Sequence, residues 1–258
     1  MKKVIALLLA VTLLMLLPVG CSSTDEEKDT IEVYLNANFP PFEYMEGTEI
    51  MGVDVDIARE IAKDLGKDVT FQNADFDGIC TSIASGKGDM AISGITITDE
   101  RKEQVDFSKP YVKSVQYLIL PEGSEIKIVE DLAGKRVGAP VGYTGQLIIS
   151  DEIEDGVLKD ANTELKTYKS AIEGAQDILN NKLDAVVMDE LVAQKIAGDT
   201  DGLVAIKMVY ADGSAAEEEY GVAIKKGQPE LLEKINATID RLVSEVKIDE
   251  FILNHSDK

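Results

Sequence analysis

The chain has 258 residues, with 26 lysines and arginines against 48 aspartates and glutamates and a formal net charge of −22. Its 45% apolar content supports a real core, one large domain or two medium ones, and excludes wholesale disorder. The charge excludes nucleic-acid binding and docking on anionic membranes through a basic patch. A single histidine, His255 in the terminal tail, excludes a His-rich zinc site and makes a Ser-His-Asp triad improbable.

Residues 1–20 open with Lys2 and Lys3, run through apolar residues from Val4 to Val19, and end on Gly20 before Cys21. The run is short for a spanning helix, which needs about 20 residues, and suits the core of a secretory signal. A small residue directly before a Cys resembles a lipoprotein signal, in which Cys21 is acylated and becomes the new N-terminus. Pro18 departs from that pattern, since such signals usually carry Leu three places before the Cys; an ordinary signal followed by a chance Cys is the alternative. Residues 21–29 are polar throughout after Cys21 and read as a solvated tether. Acylation leaves Cys80 without a disulfide partner, and its helical surroundings predict a buried, unreactive thiol.

From Thr30 onward, strand-like and helix-like runs alternate, which predicts an α/β architecture. Residues 31–35 alternate as a strand. Ile57, Ala58, Ile61, Ala62 and Leu65 recur at helical spacing between Asp54 and the stop signal Gly66. Strands at 69–72 and 89–92 flank a short helix over 78–85. The later half predicts strands at 117–120, 136–139, 164–168 and 184–188, with helices over 171–180 and 190–197. Leu231 to Val246 mark one long final helix, with Pro229 in its first turn. Ser85–Ile92 echoes Asn180–Val187: a helix end, a Lys, one residue, an Asp, then a small-plus-aliphatic strand. Two lobes on one plan explain the echo, and chance similarity between two helix-to-strand turns explains it almost as well.

Ligands in open α/β sheets bind beyond the carboxyl ends of strands, and several such ends here carry chemistry. In Ser93–Arg101, Gly94 allows close backbone approach, Thr96 offers a hydroxyl, Thr98 suits a helix N-cap and Arg101 lies near that helix start. A guanidinium there is a carboxylate receptor or an arginine on a solvated face. Thr144, in Val141–Gln146, is an anion contact or a bare cap. Asp189, ending a buried strand, pairs a cationic amine or caps the next helix. Asn38–Tyr44, with two prolines and clustered aromatics, forms a stacking wall or packs under a loop. Jointly these give a carboxylate site, an amine site and an aromatic wall, the complement of a zwitterionic amino acid. No metal cluster, phosphate loop or nucleotide fingerprint is present in the sequence, and no cofactor is expected.

At these residues the sequence resembles the extracellular solute-binding proteins (family 3 type) of ABC importers for polar amino acids. It is similar to the glutamine-, histidine- and lysine/arginine/ornithine-binding group. The likeness covers nearly all of 30–250 and rests on Asn38–Tyr44, Gly52–Ala58, Asp75–Ile79, Ser93–Arg101, Val105–Tyr111, Asp131–Gly138 and Tyr220–Gly227.

The resemblance implies an α/β, two-lobed periplasmic-binding-protein-like (type II) fold, with two crossover strands as hinge near Tyr111–Val115 and Glu217–Tyr220. Lobe 1 would comprise 30–115 and 216–258, and lobe 2 would comprise 116–215. It further implies that Arg101 clamps the ligand carboxylate with Thr96 and Thr144, and that the Gly94 carbonyl and Asp189 hold the ammonium. Phe39 and Phe76 would line the side-chain pocket, with Asn36 at a position that is often Asp. Asn36 thus departs from relatives that hold side-chain amines with a carboxylate; Met188 replaces a polar residue, and the family's late Trp is missing. The implied function is capture of a polar L-amino acid outside the cell by lobe closure and delivery to ABC permease subunits. The protein would be a monomer, held at the membrane by lipid on Cys21. The rival is a dehydratase-like enzyme acting on a small carboxylate, with Glu43 as the nearest acid-base candidate.

Overall fold

A computed structural model describes residues 29–256; the signal, Cys21 and the tether through residue 28 lie outside the described residues. From Thr30 come β1 (Thr30–Leu35), a small meander of β2 (Asn38–Phe39), β3 (Glu43–Glu46) and β4 (Glu49–Met51), and then α1 (Val53–Leu65). β5 (Asp68–Asn73), α2 (Ile79–Ala84), β6 (Met90–Ala91), α3 (Asp99–Gln104) and β7 (Val105–Phe107) follow. The long β8 (Val112–Pro121) leads to β9 (Arg136–Pro140), α4 (Thr144–Glu154), β10 (Glu164–Tyr168) and α5 (Ala171–Leu179). Next are β11 (Ala185–Asp189), α6 (Glu190–Gly198), β12 (Leu203–Lys207), β13 (Glu217–Tyr220), β14 (Ala223–Lys225), α7 (Pro229–Ser244) and α8 (Lys247–Ser256).

The strands form two main sheets, each the floor of one lobe. The first has the order β5-β1-β6-β14-β7, and the second β10-β9-β11-β8-β12 with β13 paired to β8. In each, the first strand in chain order after the lobe begins lies between the next two and runs parallel to both: β5-β1-β6 and β10-β9-β11. Parallel strands are covered on both faces, so β11 is buried at all five positions, while β1 alternates Ile31, Val33 and Leu35 inward. The start of β8 pairs antiparallel with β13, Val112 opposite Tyr220 and Val115 opposite Glu217. These two segments join the sheets.

The sequence echo is a structural device used twice. Gly86 and Asn181, at matching positions, both adopt left-handed backbone, with φ of 78° and 56°; Gly and Asn are the residues that tolerate it. Three residues on, Asp89 N–H donates to the Glu32 carbonyl (3.0 Å) while its carboxylate accepts Glu32 N–H (2.8 Å). Asp184 repeats both bonds with Arg136, at 2.8 Å each. The Asp therefore locks the third strand of each lobe to the first.

Three expectations need correction. The final helix is two helices: Val246 takes φ 58° and is 59% exposed, so it marks a break and not a core position. His255 is not in a loose tail but buried on α8, its ring bonded to the Tyr44 hydroxyl and the Asp56 carboxylate, at 2.9 Å each. Cys80 is only partly buried, since it lines a cavity together with Arg101 and Phe76.

Candidate amino-acid-binding site

Arg101 sits in the first turn of α3, where the Thr98 side chain caps the helix by accepting Arg101 N–H at 3.2 Å. The guanidinium is buried, not spread on a solvated face. It lies over the Phe76 ring, 5.3 Å from the centroid, donates to the Thr96 carbonyl at 2.8 Å, and reaches the second lobe at the Gly142 carbonyl, 3.0 Å away. Stacking on an aromatic face fixes the plane of the fork and leaves its edge for an acceptor.

Asp189 ends β11 at the N-cap position of α6, yet its side chain makes no capping bond. It turns toward the cleft instead. Gln116 Nε2 donates to Oδ1 at 2.7 Å and the Tyr220 hydroxyl donates to Oδ2. Burial raises the Asp189 pKa, opposed by these two donors. Between Arg101 and Asp189 the polar groups are continuous. The Thr96 and Thr144 hydroxyls lie 3.5 Å apart across the lobes, and Gln116 Nε2 is 3.5 Å from Thr144 Oγ1. A buried cation and a buried anion thus end one polar chain, the shape of a template for a zwitterion.

The aromatic wall lies beside this chain. Phe39 packs against Phe42, Tyr143 and Tyr220, with centroids 5.5, 5.6 and 6.2 Å apart. Gly94 is held against it: a Cβ there would fall 2.3 Å from Phe39 Cε1, and its N–H donates to Asp54 Oδ2 at 2.7 Å. Asn36 is buried at the end of β1, its amide nitrogen on the Ala74 carbonyl (2.6 Å) and its Oδ1 facing the Tyr143 hydroxyl (3.4 Å). All eight residues singled out from the sequence therefore belong to one connected cluster, Asp189 joining through Gln116. Met188 is buried, in the same apolar cluster as Phe39, Phe76 and Tyr143.

Four residues of the cluster were not expected. Gln116, Tyr143, Glu218 and Tyr220 are all buried. Alternation gives a signal for three: Gln116 is two residues from Ser114 on β8, and Glu218 two from Tyr220 on β13, in each case facing inward. Burial, then the charge of Asp189, pushes the Glu218 carboxyl up to about 9, so it keeps a proton at neutral pH. Its Oε2 accepts from the Thr96 hydroxyl at 3.3 Å, which ties it to the same polar chain.

Glu43 is sealed. It has no exposed surface, accepts from the Ser93 hydroxyl at 2.6 Å and interacts with Asp54. Among the described residues no group of three or more His, Cys, Asp or Glu side chains could hold a metal ion.

Residues 31–255 match the bacterial extracellular solute-binding proteins, family 3. The chain belongs to that family. It is 30% identical over 245 residues to the arginine-binding extracellular protein ArtP of Bacillus subtilis, covering 94% of this chain and 93% of that one. It is also 30% identical over 224 residues to the L-cystine-binding protein TcyJ of Escherichia coli, covering 85% and 80%. Among solved structures, an ancestral arginine-binding protein bound to arginine superposes with a TM-score of 0.79 at 37% identity, covering 88% of this chain and 98% of that one. These relatives are named as binding proteins, not enzymes, and their names differ in cargo. The fold is the two-lobed type II architecture of periplasmic binding proteins.

Proposed function

We propose that this solute-binding protein captures a polar L-amino acid outside the cytoplasm and delivers it to the permease of an ABC importer, with lipid on Cys21 keeping it at the membrane. The observation that carries the reading is the buried polar chain from Arg101 through Thr96, Thr144 and Gln116 to Asp189, drawn from both lobes. The sheet memberships support a first lobe of 30–115 and 216–258 and a second of 116–215.

In this reading the cargo carboxylate docks on the Arg101 fork and the two threonine hydroxyls. Its ammonium docks on Asp189 and the Gly94 carbonyl, and lobe closure removes both charges from water. Each charge-assisted bond contributes about 1.5–3 kcal/mol net. A ligand lacking one charge leaves a buried partner stranded, which costs more than the bond contributes. Specificity for the zwitterion follows from that asymmetry.

The test is thermal unfolding of the purified protein, stripped of co-purified ligand by unfolding and refolding, against the twenty amino acids. At a thousandfold excess over Kd, binding adds about 4 kcal/mol, a rise of roughly 8–16 °C for a chain of this size. A shift with one or a few amino acids supports the reading; no shift with any of them overturns it.

A further inference from the structure

Tyr143 reaches the first lobe from the second. Its ring stacks on Phe76 with centroids 3.9 Å apart and planes 23° from parallel, and it also meets Phe39, tilted, at 5.6 Å. Its hydroxyl donates to Asn36 Oδ1 at 3.4 Å, and the carbonyl just before it, Gly142, takes an Arg101 N–H at 3.0 Å. The ring's contacts are those expected of a cargo side chain, a planar group against the aromatic wall and a donor on Asn36, while the Gly142 carbonyl bond anchors the turn beside Arg101. Gly142–Tyr143 thus stands where the side chain of a long amino acid would lie.

The backbone fixes this placement. Gly142 takes φ 80°, and a Cβ on it would fall 2.8 Å from Asp77 Cβ and 2.9 Å from Asp77 Cα, so the turn presses on the first lobe as only glycine can. Tyr143 is the N-cap residue of α4 and is 4% exposed. A ring set at the start of an 11-residue helix, behind a tight turn, has little room to swing aside while the lobes stay closed.

We propose that Tyr143 selects the cargo: its ring fills the side-chain slot of the closed protein, so the amino acid held there has a short polar side chain, and long basic amino acids are disfavoured. This rests on the amino-acid-binding reading above and narrows it. Long side chains gain entry only by evicting a buried ring from two aromatic partners, whereas a short one leaves it in place.

The test is calorimetric titration of the full panel of amino acids into the wild-type protein, Tyr143→Ala and Tyr143→Thr. Melting curves confirm that each is folded, and the threonine variant keeps a residue suited to the extended backbone at this position. In wild type, short polar amino acids are expected to bind at least tenfold tighter than arginine or lysine, roughly the discrimination that one displaced buried side chain gives. Both variants are expected to gain arginine and lysine affinity by about tenfold or more, narrowing that gap. Arginine binding wild type as tightly as it binds the variants, with short polar amino acids weaker, would sink the proposal and leave amino-acid binding standing. No binding of any amino acid to any of the three proteins would overturn the amino-acid reading, and this inference with it.

Discussion

The Tyr220 hydroxyl, on the strand that returns the chain to the first sheet, donates to the Asp189 carboxylate at the end of a second-sheet strand. The anionic end of the proposed template is therefore held by the crossover itself, and Gln116, on the opposite crossover, supplies its second donor at 2.7 Å. The position of this carboxylate is thus tied to both segments that join the sheets.

Removing either end of the template strands its counterpart charge on the cargo. Arg101→Ala and Asp189→Asn are each expected to weaken amino-acid binding at least ~100-fold, roughly 3 kcal/mol. Titration calorimetry on the folded variants checks this. Near-native affinity in either would remove that residue from the site.

Acidity inside the first lobe predicts an unusual pH dependence. Burial, then the Asp54 charge, holds Glu43 well above the usual carboxylate range, and burial pushes Asp54 up to about 7. The folded protein thus binds protons that the unfolded chain has already released. That stability is present below the ordinary carboxylate pKa and is lost as pH rises through 7, at about 1.4 kcal/mol per pH unit while one proton is being released. Melting temperature is expected to fall between about pH 5 and pH 8, over the interval set by the unfolded and folded values. Glu43→Gln, which cannot ionise, is expected to flatten the slope. A melting temperature that rises over this interval in wild type would refute the raised acidities of Glu43 and Asp54.

The chain's one histidine staples its C-terminal end to the first lobe. His255 is 4% exposed and bridges Tyr44 and Asp56 at 2.9 Å each. His255→Ala is expected to cost about 1–3 kcal/mol, because two partners lose their bonds. Urea unfolding measures the loss, and cargo affinity is expected to change less than about threefold, since the staple lies outside the cluster around Arg101 and Asp189. A cargo-affinity loss as large as that of Arg101→Ala would show that the staple shapes the site.

Lipid attachment at Cys21 is checked by fractionation and by mass spectrometry of the N-terminal peptide. The wild-type protein is expected in the membrane fraction with diacylglyceryl mass on Cys21, and Cys21→Ser in the soluble fraction. Equal partition of the two would remove the anchor.

Much of this protein was legible without coordinates. The burial period of α1, the apolar run Ala185–Met188 of β11 and the Asp that follows each left-handed turn are local patterns, and local patterns reflect one segment's own periodicity and chemistry. Other features were not legible, because their cause is distant in sequence. Which of the three consecutive glutamates Glu217–Glu219 turns inward depends on the β13 register against β8. Asp189 forgoes helix capping because Gln116 and Tyr220 stand near it.

Periodicity and composition by themselves determined the α/β class, and the order of motifs carried the resemblance to amino-acid-binding proteins. Only the tertiary structure decided where Tyr143 sits. No spacing along the chain could place its ring against Phe39 and Phe76, since that position exists only once the two lobes pack and the Gly142 turn meets Asp77. Side-chain specificity is a property of a shared surface, and a shared surface is made by closure.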